Sequence, residues 1–170
     1  MKVAIIYKSL TGNTKLVAEA VRDALPEGSL VYFGTPEDGI EAELYLLGSW
    51  TDKGNCDGEI AEFIKKLENK KIAFFGTAGF GGSQEYYDKL FARVRECVLP
   101  SNEVLGSFYC QGRMPMSVRD RYVAMLREHP EDKKLEVNVS NFDAALSHPD
   151  EQDRKEAAAW ALAMLKAAGE

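Results

Sequence analysis

Ser9-Leu10-Thr11-Gly12-Asn13-Thr14 gathers hydroxyl and amide side chains around one glycine, directly after the apolar run Val3-Ala4-Ile5-Ile6-Tyr7. These groups offer neutral hydrogen-bond donors and no cation. The same stretch opens a segment with apolar residues at Leu16, Val17, Ala20, Val21, Ala24 and Leu25, a stripe of helical period. At a helix start the first N–H groups have no intrahelical partner, and the helix dipole favours an anion there. Strand, polar loop and helix start therefore make a cradle for a phosphate. Neutral donors suit a phosphate held permanently as part of a cofactor, not one being transferred. The plainer alternative is a helix start capped by a single Asn or Thr, which needs fewer such residues than stand here.

Two further loops carry unusual side chains. Gly48-Ser49-Trp50-Thr51-Asp52-Lys53-Gly54-Asn55-Cys56-Asp57-Gly58 follows the most apolar strand of the chain. An indole in a glycine-rich loop either stacks on a planar aromatic ligand or packs back onto the protein edge. Gly76-Thr77-Ala78-Gly79-Phe80-Gly81-Gly82-Ser83-Gln84-Glu85-Tyr86-Tyr87 holds four glycines and three aromatics. Glycines let backbone N–H and C=O groups come close to a heterocycle's edge while an aromatic covers its face. Tyr86 and Tyr87 fall in the following helix, so at least one of them belongs to the core.

The elements that must position these loops alternate along the chain. Strands are expected at 3–7, 29–33, 43–48, 71–76 and 104–110, and helices at 13–25, 58–68, 83–98 and 150–168. The strand runs are almost continuously apolar (Leu44-Tyr45-Leu46-Leu47, Ile72-Ala73-Phe74-Phe75), as where both faces of a sheet are covered. The helices each carry one apolar face, such as Ile60, Phe63, Ile64 and Leu67, or Leu90, Phe91, Val94 and Val98. Strict alternation implies right-handed crossovers and a doubly wound α/β/α sandwich of three layers. Five parallel strands suit the order 2-1-3-4-5, whose ligand site lies at the carboxyl ends of strands one, three and four. The three loops above leave those very strands. Residues 111–149 interrupt the pattern, with a helix expected near 117–128 and an irregular stretch from there to Pro149. That segment is locally basic: residues 111–135 hold Arg113, Arg119, Arg121, Arg127, Lys133 and Lys134 against four acids. It reads either as a solvated appendage or as a partner-recognition surface.

Composition bounds the rest. At 170 residues a single domain spanning 1–170 is expected, with a sizeable core. No apolar run reaches the roughly 20 residues of a membrane span, and the N-terminus lacks a signal-peptide pattern, so a cytoplasmic location is expected. The net charge of −6 argues against nucleic acid and suits docking on a basic protein partner. Cys56, Cys97 and Cys110 form no C-x-x-C pair and read as reduced thiols. His129 and His148 show no neighbouring ligand set, so no metal site is expected. No Cys–His or Ser–His pairing and no G-x-x-x-x-G-K-[ST] stands near the loops.

Taken together the residues resemble the flavodoxin family over 1–110 and 150–168, most specifically in the strand followed by S-x-T-G-N-T, which is similar to the family's FMN 5′-phosphate loop. The resemblance implies FMN as cofactor, with Ser9–Thr14 on its phosphate. It places Ser49, Trp50, Thr51, Asp52 and Gly54, together with Thr77, Ala78, Gly79, Phe80, Gly81, Gly82 and Tyr86, around the isoalloxazine ring. Trp50 precedes Thr51 here, whereas better-known members place Thr before Trp. Phe80 and small residues stand where those members often carry an acid followed by a stacking Tyr. The implied role is a low-potential electron carrier between a reductase and an acceptor enzyme, as monomer or dimer. Asp52 and Asp57 beside the ring would disfavour its reduced anion. An FMN-dependent NAD(P)H:quinone or nitroarene reductase, with 111–149 as the wall of a second cavity, is one alternative. A cofactor-free interaction module on the same fold is the other.

Overall fold

A computed structural model describes residues 1–170. The most apolar runs become the central strands β1 (Val3–Tyr7) and β3 (Leu44–Asp52). Val3 to Ile6 and Leu44 to Leu47 are fully buried, because successive side chains enter opposite faces and both faces are covered. The remaining strands are β2 (Leu30–Gly34), the two-residue β4 (Asn55–Cys56), β5 (Lys71–Ala78) and β6 (Glu103–Gln111). The sheet runs β2-β1-β3-β5-β6 with every adjacent pair parallel. This is the expected 2-1-3-4-5 order. The short β4 is an addition, lying antiparallel to the end of β3.

Alternation along the strands divides the core in two. Val3, Ile5, Leu44, Leu46 and Phe75 meet Val17, Ala18 and Val21 of α1 (Asn13–Ala24) and Ala157 and Ala161 of α6 (Glu151–Gly169). On the other face Ala4, Ile6, Tyr45, Leu47 and Phe74 meet Ile60, Phe63 and Ile64 of α2 (Gly58–Lys65) and Val94 of α3 (Gln84–Arg95). Helix starts are set by side chains: Asp57 accepts from Glu59 N–H, Ser83 from Tyr86 N–H, and Asp150 forms a capping box with Asp153.

The segment between β6 and α6 departs from expectation. The helix α4 (Met116–Glu128) is present, but the stretch beyond it is not irregular: α5 (Lys133–Ala145) occupies it, capped by the Asp132 carboxylate on the N–H groups of Lys134 and Leu135. Its inward stripe is Leu135, Phe142 and Ala145, all buried. The alternation Leu135-x-Val137-x-Val139 hides this helical spacing behind a strand-like period, and Val137 in fact faces solvent.

Arg119 on α4 ties the two helices together through both carboxylate oxygens of Asp143, at 2.7 and 3.1 Å. The Arg119 hydrogen bond holds the Asp143 carboxyl below its ordinary range. A depressed carboxylate contributes stability above its unfolded value and loses that contribution as pH falls through the folded value. Amide exchange in 116–145, corrected for intrinsic rate, is therefore expected to accelerate relative to the sheet below about pH 4. D143N is expected to show the faster exchange already at neutral pH, measured by mass spectrometry.

Candidate functional site

At the carboxyl ends of β1, β3 and β5 the chain encloses a cavity of about 250 Å³. Leu10, Thr11 and Asn13 line it from the first loop, Trp50, Thr51, Lys53 and Gly54 from the second, and Thr77, Ala78, Gly79, Phe80 and Tyr86 from the third. Sites at the carboxyl edge of parallel sheets arise this way, because the loops diverge there from strands wound to opposite sides.

The first loop is not an ordinary capped helix start. The residue before α1 is Gly12, in the left-handed region at φ 95°, and no side chain caps the helix from that position. Ser9 Oγ instead accepts from Gly12 and Lys15 N–H, at 3.2 Å each. The N–H groups of Thr11, Asn13 and Thr14 find no acceptor within the chain. Asn13 is 7% exposed, and its buried Oδ1 is likewise without a partner. Unpaired donors at a helix N-terminus are the chemistry of an anion cradle.

The second loop is a hairpin, not an open loop. β3 continues past Gly48 to Asp52, turns through Lys53 (φ 48°) and Gly54 (φ 81°), and returns as β4. Two successive positive φ values match the turn type that suits strand twist, and glycine takes the second position without steric cost. Ser49 Oγ accepts from Asp57 N–H at 2.8 Å, and Arg93 Nη1 of α3 donates to Gly54 O at 3.2 Å. The tip that carries Trp50 and Lys53 is thus held from below and from the side.

Thr77 joins all three loops. Its hydroxyl lies 3.0 Å from Thr14 Oγ1, and its carbonyl accepts from Thr51 Oγ1 at 2.9 Å. In the third loop the two tyrosines part company. Tyr86 faces the cavity, whereas Tyr87 is buried and stacks on Tyr109 at a centroid distance of 5.5 Å. Burial pushes the hydroxyls of Tyr86, Tyr87 and Tyr109 above their ordinary range. It also raises the Cys110 thiol, and pushes the Cys56 thiol in β4 up to about 12. These groups are neutral at physiological pH.

Of the other sequence candidates, Thr14 and Ser49 are buried beneath the cavity as hydrogen-bonding supports, and Ser9 props the first loop. Gly12, Asp52, Gly81 and Gly82 do not reach the wall. The expected ring of acids is not formed. Asp52 is exposed beside the hairpin turn and Asp57 is spent on capping α2, while the charged residues lining the cavity are Lys53 and Arg113. Arg113 belongs to a strap, Gly112 to Pro115, that forms a fourth wall. Met114 packs where Gly79 leaves room, and Phe80 meets Tyr122 of α4 edge-on at 6.0 Å. Sequence reasoning offers residues 111–149 as a wall only under the reductase alternative; it does not single out Gly112 to Pro115, for which the break in the alternating pattern at residue 111 is the one available signal.

His148 also corrects an expectation, since it does have acidic neighbours. Its Nδ1 stands 2.6 Å from Asp153 Oδ2 and 4.0 Å from Asp150 Oδ2. Both carboxylates are already engaged in the capping box of α6, which accounts for the cluster.

Comparison with known proteins agrees with this architecture. The profile of the Flavodoxin domain family matches residues 4–161. A "flavodoxin-like domain-containing protein BilS" of Clostridium symbiosum is 40% identical, covering 99% of this chain and 98% of that one. The protein of the same name from Clostridioides difficile is 34% identical, with 97% of each chain covered. Among solved structures, oxidised flavodoxin 2 of Bacillus cereus superposes with a TM-score of 0.59 at 15% identity, over 98% of this chain and 99% of that one. Rubredoxin:oxygen oxidoreductase of Desulfovibrio gigas matches with a TM-score of 0.56 at 14% identity, over 99% of this chain and 36% of that one. At such identities these structures speak for the fold alone. No helix is long and apolar enough to cross a membrane. With the sheet order, the uncapped polar loop and the family match together, the chain belongs to the flavodoxin family.

Proposed function

We propose that this chain binds FMN and carries electrons between a reductase and an acceptor enzyme. One observation carries the reading: an uncapped helix start with unpaired N–H donors opens into the same cavity as Trp50, Phe80 and Tyr86. That pairs a cradle for a phosphate with walls for a planar ring. The donor set fits the cofactor at both ends. The N–H groups of Thr11, Asn13 and Thr14 and the loop hydroxyls would hold the phosphate. Trp50, Phe80 and Tyr86 would flank the ring, and the backbone of Thr77 to Gly79 would read its edge.

Bound flavin supplies the redox chemistry, taking up one or two electrons. The chain's own work is to anchor, orient and shield. Thr77 keeps the three loops in register, so that phosphate end and ring end stay at a fixed spacing. The hairpin, braced by Arg93, limits solvent on one side, and the strap with Met114 limits it on another. The cavity wall offers no carboxylate, imidazole or thiol to serve as acid, base or nucleophile, in keeping with a carrier.

A second reading, the NAD(P)H-dependent quinone or nitroarene reductase, is favoured by the strap and α4, which do stand against the third loop. Visible absorption of the protein after incubation with FMN and removal of the excess decides between the readings. One bound flavin per chain that NADPH alone leaves oxidised is the expected result. Rapid bleaching by NADPH alone would make the protein a reductase, and a colourless protein after excess FMN would end the flavin reading.

A further inference from the structure

The strap residue Arg113 is fixed by backbone bonds at both of its polar groups. Its carbonyl accepts from Asn13 Nδ2 at 2.8 Å, and its N–H donates to His148 O at 2.9 Å. The first bond spans 100 residues and pins the strap to the first turn of α1. Gly112 makes the approach possible, since a Cβ there would stand 2.7 Å from Asn13 Nδ2. Arg113 therefore lies beside the unpaired N–H donors of the first loop and lines the same cavity. Its guanidinium makes no hydrogen bond and no ion pair. The nearby acids are engaged elsewhere: Asp153 with His148 Nδ1 and with Asp150 N–H, and Asp150 with the start of α6.

We propose that Arg113 is an anchoring residue for the phosphate of the bound cofactor, the counter-charge that the first loop itself lacks. The inference rests on the FMN reading of the cavity and extends it to a residue outside the loops of that reading. The loop's hydroxyl, amide and N–H groups can surround a phosphate but leave its charge uncompensated. Arg113 lines the same cavity, and its guanidinium would supply bidentate, charge-assisted donors to phosphate oxygens. The other cation on the wall, Lys53, sits on the hairpin tip next to Gly54 and does not share the tie to α1. It is thus the natural control.

The test uses the full chain and two probes, FMN and riboflavin, which differ only in the phosphate. R113Q keeps both backbone bonds and removes the charge. Fluorescence titration is expected to show FMN affinity falling about tenfold, with riboflavin affinity changed less than about twofold and a weaker salt dependence for FMN. K53Q is expected to leave the FMN-to-riboflavin ratio as it is in the parent protein. Equal losses for both flavins in R113Q, or FMN affinity within twofold of the parent, would overturn the anchoring role. A parent protein that binds neither flavin would overturn the FMN reading itself, and the inference with it.

Discussion

Thr11→Glu is expected to lower FMN affinity at least about 100-fold while leaving the fold intact. Thr11 is exposed, lines the cavity, and is engaged only through its hydroxyl, which accepts from Asn13 Nδ2 at 3.2 Å. A carboxylate there shares the cradle with the phosphate. Two unit charges about 5 Å apart repel by about 3 kcal/mol at an effective dielectric of about 20, which is roughly two decades in affinity. Riboflavin has no phosphate, so its affinity is expected to fall far less, and Thr11→Gln, which loses the hydroxyl but adds no charge, is expected to lose less than about tenfold in FMN affinity. Fluorescence titration of both flavins against both variants measures this. Unchanged FMN binding in Thr11→Glu would mean that the phosphate does not lie on the first loop.

The first loop was legible because everything it needs is contiguous: an apolar strand, one glycine and a helix start within a dozen residues. Local sequence carries such signals well. The hairpin was less so, because Asp52-Lys53-Gly54-Asn55 places a lysine in the left-handed region, which lysine rarely adopts. From sequence the stretch from Gly48 therefore reads as a glycine-rich loop, and the family resemblance sets its acids beside the ring. In the structure Asp57 meets the orphan N–H of a helix start, a local demand that outweighs any more distant role. That 111–149 could wall a cavity was legible, but where the strap docks was not. The bond from Asn13 to Arg113 joins residues 100 apart, and nothing near Gly112 marks where it will dock. This matters for the chemistry as well as for the geometry. With Lys53 and Arg113 on the wall in place of acids, the charge lining the cavity would favour the anionic forms of a flavin bound there, and the lining residues alone do not argue for a low potential.

Gly48→Ala is expected to cost about 2–3 kcal/mol of stability and to lower Tm by about 5–10 °C in a chain of this size. A Cβ at this position would stand 2.2 Å from Cζ of Phe75 on the neighbouring strand, an overlap that something must relieve. The ring has nowhere to go. Phe75 is fully buried, and Trp160 of α6 meets it edge-on with centroids 6.2 Å apart. Relief must come from the backbone of β3, in the middle of the sheet and directly below the cavity. There the Gly48 carbonyl accepts from Lys8 N–H at 3.0 Å and fixes the residue that leads into the first loop. The substitution should therefore weaken flavin binding too, although Gly48 is not part of the cavity wall. Shrinking the ring tests the cause: Phe75→Leu alone is expected to cost about 1 kcal/mol, and Gly48→Ala with Phe75→Leu to be at least about 1 kcal/mol less damaging than the sum of the two. Thermal and denaturant unfolding of the four proteins gives that coupling. Simple additivity would place the strain elsewhere than at the Gly48–Phe75 contact.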